Sequence, residues 1–232
     1  MKISTLLFFF VLYSTTLLSQ NSLDTYDPNA TLTSDQCFDV VKTVWDGLKK
    51  LSEQYHSGSS AKGEFESTQE FNERKRKNKD EYLSKISKFY TDNKLNNRIY
   101  SVWMKADLAK YDADNKTYSI KSSTQVLLQP KKKEIAVVCA PNKYALITEK
   151  DVRGYRRAYL HLATDPDFTW YVDKQTAIAA KNKEGAIYFK LAFAFDISFD
   201  EAQNQVQLQI DPKKISLMDQ NENFTYWSDD IH

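Results

Sequence analysis

The chain has 232 residues, with 32 Lys and Arg against 31 Asp and Glu, and 41% of its residues are hydrophobic. The near-zero net charge argues against a dedicated nucleic-acid-binding protein, in which an excess of basic residues is typical. The length is sufficient for a single domain with a sizeable core.

The N-terminus has the organisation of a secretory signal peptide. Lys2 precedes the apolar run LLFFFVLYSTTLL, and small or polar residues follow. The run is shorter than the roughly 20 apolar residues that a membrane-spanning helix needs, and a retained membrane helix is the alternative. The pattern predicts a signal peptide over 1–19, a flexible lead-in over 20–33 and one domain over 34–232. A periplasmic or extracellular protein is therefore expected, with no stable transmembrane segment after cleavage.

A first helix is predicted to begin at Ser34, whose side chain suits an N-cap. Apolar residues follow it at helical spacing: Phe38, Val41, Val44, Trp45, Leu48 and Leu51. The composition of residues 57–64, rich in Ser and Gly, predicts a loop after this helix.

A second helix is predicted from the capping box formed by Ser67 and Glu70. Its apolar stripe passes through Arg74, which we therefore expect in a buried ion pair, because an unpaired buried charge is very costly. An anion-binding role for Arg74 is the alternative. The other basic residues of this run are expected to face solvent: Arg76, Lys77 and Lys79.

Strand-like segments follow residue 97. The Asp and Asn residues at 112–115 favour a turn between two strands, and they match a calcium-binding loop poorly because Lys116 and Thr117 occupy key positions. A second hairpin is predicted around PKKKE at 130–134. A short helix or turn is predicted in DKQTAIAAKNKEG, with Gly185 as its stop. Later segments alternate apolar and polar residues, as antiparallel strands do.

The segment around Gly154 holds the densest mixture of aromatic and cationic residues. It predicts a surface for an anionic or sugar-like ligand, composed of Arg153, Tyr155, Arg156, Arg157, Tyr159 and His161. The alternative is a structural strand whose arginines pair with Asp165 and Asp167.

Only two cysteines occur, Cys37 and Cys139. An even number of cysteines in an exported chain favours a disulfide, and two separate buried thiols are the alternative. We predict the disulfide.

No known catalytic or metal-binding motif is present, so the sequence predicts no catalytic residue, metal ligand or cofactor. Carboxylates are plentiful, so a catalytic pair of carboxylates as in glycosidases is an alternative. The first candidate segment for such a pair is DPDF at 165–168.

The segments EFESTQEFNER, YDADNKTYSI and VDKQTA give residues 60 to about 210 a resemblance to exported bacterial domains of the Gram-negative envelope that have no assigned activity. The resemblance implies an envelope location and a compact domain of helices and a sheet. It carries no functional residue to this chain.

Taken together, the sequence predicts an α+β domain in which N-terminal helices pack on a mainly antiparallel sheet. The expected function is a non-enzymatic binding or interaction module of the cell envelope, with an envelope protein or glycan as partner and no nucleic acid. A carboxylate-dependent hydrolase is the alternative.

Overall fold

The computed structural model describes Leu23 and residues 26–27, 29–58, 61–130, 135–162 and 168–231. The signal peptide predicted over 1–19 lies outside these residues. The described chain forms three α-helices: α1 (Ser34–Gly58), α2 (Thr68–Asp92) and α3 (Lys174–Asn182). No helix in the described part of the chain is long and apolar enough to cross a membrane.

Strands make up most of the remaining described chain. They are β1 (Thr31–Leu32), β2 (Tyr100–Lys105), β3 (Asp107–Asp112), β4 (Thr117–Lys121), β5 (Ser123–Pro130), β6 (Ile135–Cys139), β7 (Ala145–Val152), β8 (Tyr155–Leu162), β9 (Phe168–Tyr171), β10 (Ile187–Asp200), β11 (Gln205–Asp219) and β12 (Phe224–Asp230). With the two long helices near the N-terminus and mostly antiparallel pairing in the sheets, the predicted α+β class is confirmed.

The strands form three sheets. The largest has the order β1-β2-β10-β11-β12, and β6 pairs with β11 beside β12. The long antiparallel hairpin of β10 and β11 is its centre, with one bulge between Ala192 and Phe193. The two smaller sheets have the orders β3-β4-β9 and β5-β8-β7.

Local signals explain where the first two helices begin. The side chain of Thr33 accepts from the backbone N–H of Gln36 at 3.3 Å, and the Gln36 side chain accepts from the Thr33 N–H at 2.9 Å. This reciprocal pair caps α1 one residue before the predicted Ser34. The capping box predicted for α2 is confirmed, because Ser67 and Glu70 make both of its hydrogen bonds.

The β3–β4 hairpin has the predicted turn. An oxygen of Asp112 accepts from the backbone N–H groups of Asp114 and Asn115, both at 3.0 Å, and Lys116 adopts a positive φ of 53°. The short helix α3 also forms, with Asp173 as its N-cap. It ends at Asn182, however, and Gly185 lies in a following 3-10 turn rather than at the helix stop.

The hairpin predicted around 130–134 is wrong. Strand β5 pairs with β8, whereas β6 leaves for the large sheet and runs parallel to β11. Parallel pairing with a strand about 70 residues later leaves no local signal, so the polar residues between the two apolar runs resembled a hairpin turn.

The core lies between the large sheet and α1. Alternate residues of β10 point inward and are almost completely buried: Ile187, Phe189, Leu191, Phe193 and Phe195. The buried stripe of α1 contains Val40, Val41, Val44 and Leu48, and α1 also packs against β5 and α2. This stripe agrees with the helical spacing seen in the sequence.

Part of the predicted flexible lead-in belongs to the fold. Leu23 and Leu32 are buried at 1% and 2% exposure, and β1 pairs with β2. Arg98 donates to the backbone carbonyl of Leu23 at 2.7 Å. Two apolar residues within a polar stretch were too few to indicate this packing from the sequence.

The predicted disulfide is absent, because Cys37 and Cys139 are both free and their sulfur atoms are not within bonding distance. Cys37 lies fully buried in the first turn of α1, and Cys139 lies partly buried at the end of β6. Burial raises the pKa of the Cys37 thiol to about 12 and that of the Cys139 thiol to about 11.

These thiols are expected to be unreactive in the folded protein, because the thiolate is the nucleophile and burial disfavours it. Titration with a disulfide reagent at pH 8 should modify both cysteines in guanidinium and neither within the same time in buffer. Peptide mapping without reductant should find no fragment that joins Cys37 to Cys139. Recovery of that joined fragment would contradict the structure.

Candidate functional site

A cavity of about 680 Å³ lies where the two small sheets meet. Its walls come from β3, β4, β5, β7, β8 and β9 and from the residue that links β4 to β5. The polar residues on these walls are Asp107, Lys121, Ser122, Ser123, Thr148, Glu149, Lys150, Tyr159 and His161. Volumes of 300–1,000 Å³ with a few placed polar groups are typical of small-molecule sites.

The β7–β8 hairpin presents the key side chains of this cavity. Its turn needs left-handed backbone at two positions, which Arg153 and Gly154 supply with φ angles of 45° and 87°. Antiparallel register then places Thr148 directly opposite Tyr159. Paired residues share a face of the sheet, so both side chains reach the same wall.

His161 is the most informative side chain on the wall. Its Nδ1 lies 3.1 Å from the carbonyl oxygen of Leu162, which favours a proton on Nδ1 and leaves Nε2 as an acceptor. Nε2 is buried, and it has no hydrogen-bond partner in the described part of the chain. A buried polar atom without a partner costs about 1–3 kcal/mol, and because Nε2 is closed to solvent a ligand group reaches it only if the His161 side chain or its neighbours move.

Tyr159 supplies an aromatic surface beside His161. Lys150 Nζ lies 5.6 Å from the centroid of the Tyr159 ring, and this contact holds the lysine over the ring. Ser123 lies opposite His161 on β5, and it contributes a hydroxyl to the same wall. The cavity therefore combines the aromatic rings of Tyr159 and Phe168 with Ser and Thr hydroxyls and an imidazole.

The walls carry few charged groups. Asp107 lies directly opposite Lys121 in the register of β3 and β4, and Lys150 lies over the Tyr159 ring. The carboxylate of Glu149 is turned to the other face of the sheet, where it accepts from Gln129 Nε2 at 2.8 Å and from Arg156 Nη1 at 3.5 Å. The small number of charges favours a ligand with hydroxyl or amide groups over a strongly charged one.

The structure brings together only two of the six residues of the predicted ligand surface, Tyr159 and His161. Arg153 and Tyr155 are exposed at the tip of the hairpin. Arg156 faces the other side of the sheet, where it pairs with Asp151 at 3.1 Å and with Glu149.

Arg157 shares a face with Tyr159 but does not line the cavity. It is half-buried, and its Nε has no hydrogen-bond partner in the described ranges. The alternative partners predicted for the arginines, Asp165 and Asp167, lie outside the described residues. So do the first three residues of DPDF, although Phe168 itself lines the cavity.

Sequence reasoning missed the residues that the other strands contribute, above all Ser123, Thr148 and Lys150. Each lies on a strand with partial alternation of polar and apolar residues, which indicates a shared face but not which strand is the neighbour. Only the sheet order β5-β8-β7 assembles them.

Arg74 lies apart from the cavity and forms an ion pair with the carboxylate of Glu66. Its Nε and Nη2 donate to the two oxygens of Glu66 at 2.7 and 2.8 Å. The hydrogen bond from Arg74 is the largest cause that lowers the pKa of Glu66 to about 2. The Arg74 side chain is 31% exposed, so the pair is partly buried at the start of α2 rather than enclosed in the core. Because this pair satisfies the guanidinium, an anion-binding role for Arg74 has little support.

The basic run of α2 is largely solvent-facing. Arg76 and Lys77 are exposed, but Lys79 is half-buried and pairs with Glu201 across the fold. Its ammonium also lies 4.9 Å from the centroid of the Phe199 ring. The expectation that Lys79 faces solvent is therefore wrong, because the end of β10 packs beside this turn of the helix.

In the described ranges no group of three or more His, Cys, Asp or Glu residues is arranged to hold a metal ion. Comparisons of the chain with protein families, with curated proteins and with solved structures returned no match. The resemblance to exported envelope domains accordingly stays a prediction.

Proposed function

We propose that this protein is an exported, non-enzymatic binding module of the bacterial cell envelope that takes a saccharide-like ligand in the cavity between its two small sheets. The observation that carries the proposal is the Tyr159 ring beside the hydroxyls of Ser123 and Thr148 on the walls of that cavity. Export rests on the signal-peptide pattern of residues 1–19 alone.

The chemistry of the walls supports a saccharide. Sugars present apolar C–H faces and many hydroxyls, and the ring of Tyr159 offers an amphipathic surface for such a face. Ser123 and Thr148 can donate to hydroxyls and accept from them.

The proposal predicts weak, specific binding that depends on Tyr159. N-acetylglucosamine and its β-1,4-linked dimer, titrated into isotope-labelled protein, should shift amide resonances of β5, β7 and β8. Tyr159→Ala should weaken binding at least tenfold, since losing about 1.4 kcal/mol of contact corresponds to that factor. His161→Ala should weaken it in the same direction.

Tyr171→Ala is the matched control, because Tyr171 is 78% exposed on β9 and does not line the cavity. It should leave the dissociation constant unchanged. The proposal fails if neither sugar shifts these resonances at roughly 10 mM, the weak end of measurable affinities. It also fails if Tyr171→Ala and Tyr159→Ala weaken binding equally.

A carboxylate-dependent hydrolase is the second candidate, since Asp107 and Glu149 both line the cavity. The carboxylate of Glu149 accepts from Arg156 and Gln129 on the other face of the sheet, so it is not placed to act on a ligand beside Asp107. We expect no release of nitrophenol from nitrophenyl glycosides. If nitrophenol is released and Asp107→Asn abolishes this release, the hydrolase is favoured.

A further inference from the structure

The large sheet has a second face, opposite the core, whose side chains are only partly covered. Alternate residues of the central strands point to it. They define the outer face: Ser101, Trp103, Tyr188, Lys190, Ala192, Ala194, Asp196, Asp211 and Lys214. We propose that the outer face binds the same face of a second copy of this chain, forming a two-fold symmetric dimer.

The charges of the outer face change sign along the strands. Register places Ala192 opposite Lys214 and Ala194 opposite Asp211. On β10, Lys190 precedes Ala192 by two residues, and Asp196 follows Ala194 by two residues. The boundary therefore falls between Ala192 and Ala194.

A two-fold axis across the strands at this boundary makes the face complementary to itself. It places Lys190 of one copy opposite Asp196 of the other, and Lys214 opposite Asp211. Each contact then occurs twice, as a symmetric interface requires. An axis parallel to the strands would oppose like charges, so the charge pattern selects one arrangement.

The side chains at the boundary permit close approach. Ala192 and Ala194 are small, and sheets that pack face to face lie about 10 Å apart. Trp103 and Tyr188 contact each other in a T-shaped arrangement at 6.1 Å, and Lys190 Nζ lies 5.8 Å from the centroid of a Trp103 ring. Partly exposed aromatic residues of this kind are enriched at interfaces.

The area of the sheet approaches that of a standard interface. Strands β10 and β11 span about 45–50 Å each, and together with the shorter β2 and β12 they cover roughly 650 Å². Stable interfaces bury about 800 Å² on each partner. Lys214 already pairs with Asp230 at 3.2 Å, and Asp211 pairs with Lys213. All four side chains are 32% or more exposed, and surface pairs of this kind exchange at little cost.

Sedimentation velocity of the full chain lacking residues 1–19 tests the proposal. The protein should sediment as a dimer at micromolar concentration. With Lys190→Glu, a carboxylate at position 190 of each copy lies opposite the Asp196 carboxylate of the other copy. With Asp196→Lys, an ammonium group at position 196 of each copy lies opposite the Lys190 ammonium group of the other copy. Each variant should raise the dimer dissociation constant at least tenfold.

Mixing the two variants provides the decisive readout. In the mixed dimer Glu at 190 meets Lys at 196, and Lys190 meets Asp196, so association should return to the level of the unmodified protein. Lys77→Glu changes an exposed lysine of α2 and should leave association unchanged. A monomer at about 100 μM, a dimer that neither substitution weakens, or a mixture that stays monomeric would each overturn the proposal.

Discussion

Phe193→Ala is expected to lower the free energy of unfolding by about 3–5 kcal/mol, the range measured for large aromatic residues truncated in cores. Phe193 is completely buried in the middle of β10. Its ring centroid lies 5.8 Å from that of Tyr100 and 5.4 Å from that of Phe195. Truncation removes both ring contacts and leaves a cavity that neighbouring strands cannot close. Since single domains are stable by only 5–15 kcal/mol, the loss should be plain in urea denaturation.

Phe65→Ala is the matched control, because Phe65 is 94% exposed in the loop before α2. It should change the unfolding free energy by no more than about 0.5 kcal/mol, as is usual at the surface. Equal shifts of the two denaturation midpoints would show that β10 is not the centre of the core.

The helices and one hairpin were predictable because their signals are local. The capping box of α2 lies within four residues. The turn of the β3–β4 hairpin needs only the Asp112 carboxylate, which accepts from the backbone N–H groups two and three residues later. The apolar spacing of α1 is likewise complete within the helix itself. Such short-range patterns survive without knowledge of the tertiary fold.

The sheet order was not predictable, because nothing local to β6 indicates its parallel partner β11. The same limit applies to the cavity. Tyr159 and His161 were indicated by composition alone, while Ser123 and Thr148 join them only through the order of three strands. Lys79 shows the limit on a helix surface, where the end of β10 covers a position that the sequence assigns to solvent.

Asp219 closes the turn between β11 and β12 and is 1% exposed. One of its oxygens accepts from the backbone N–H groups of Asn221 and Glu222 at 3.0 and 3.1 Å, and Lys183 Nζ lies 3.4 Å from the other. Burial by itself raises the pKa of Asp219, but the hydrogen bonds from these N–H groups and from Lys183 outweigh it and hold the pKa below its usual value.

Asp219→Ala is therefore expected to lower the free energy of unfolding at pH 7 by about 1–3 kcal/mol, because the two N–H groups and Lys183 lose their acceptor. A depressed pKa in the folded state stabilises the protein above the unfolded pKa of about 3.9, and this contribution disappears as the pH falls through the folded value. Urea denaturation from pH 7 to pH 3 should thus show that the difference in unfolding free energy between the original protein and the variant narrows below about pH 4.

Asp114→Ala, at an exposed position in the β3–β4 turn, is the control. Its plot of unfolding free energy against pH should stay parallel to that of the original protein over the same range. A gap for Asp219→Ala that stays constant down to pH 3 would show that the carboxylate charge contributes nothing and that only the shape of the side chain matters at this turn.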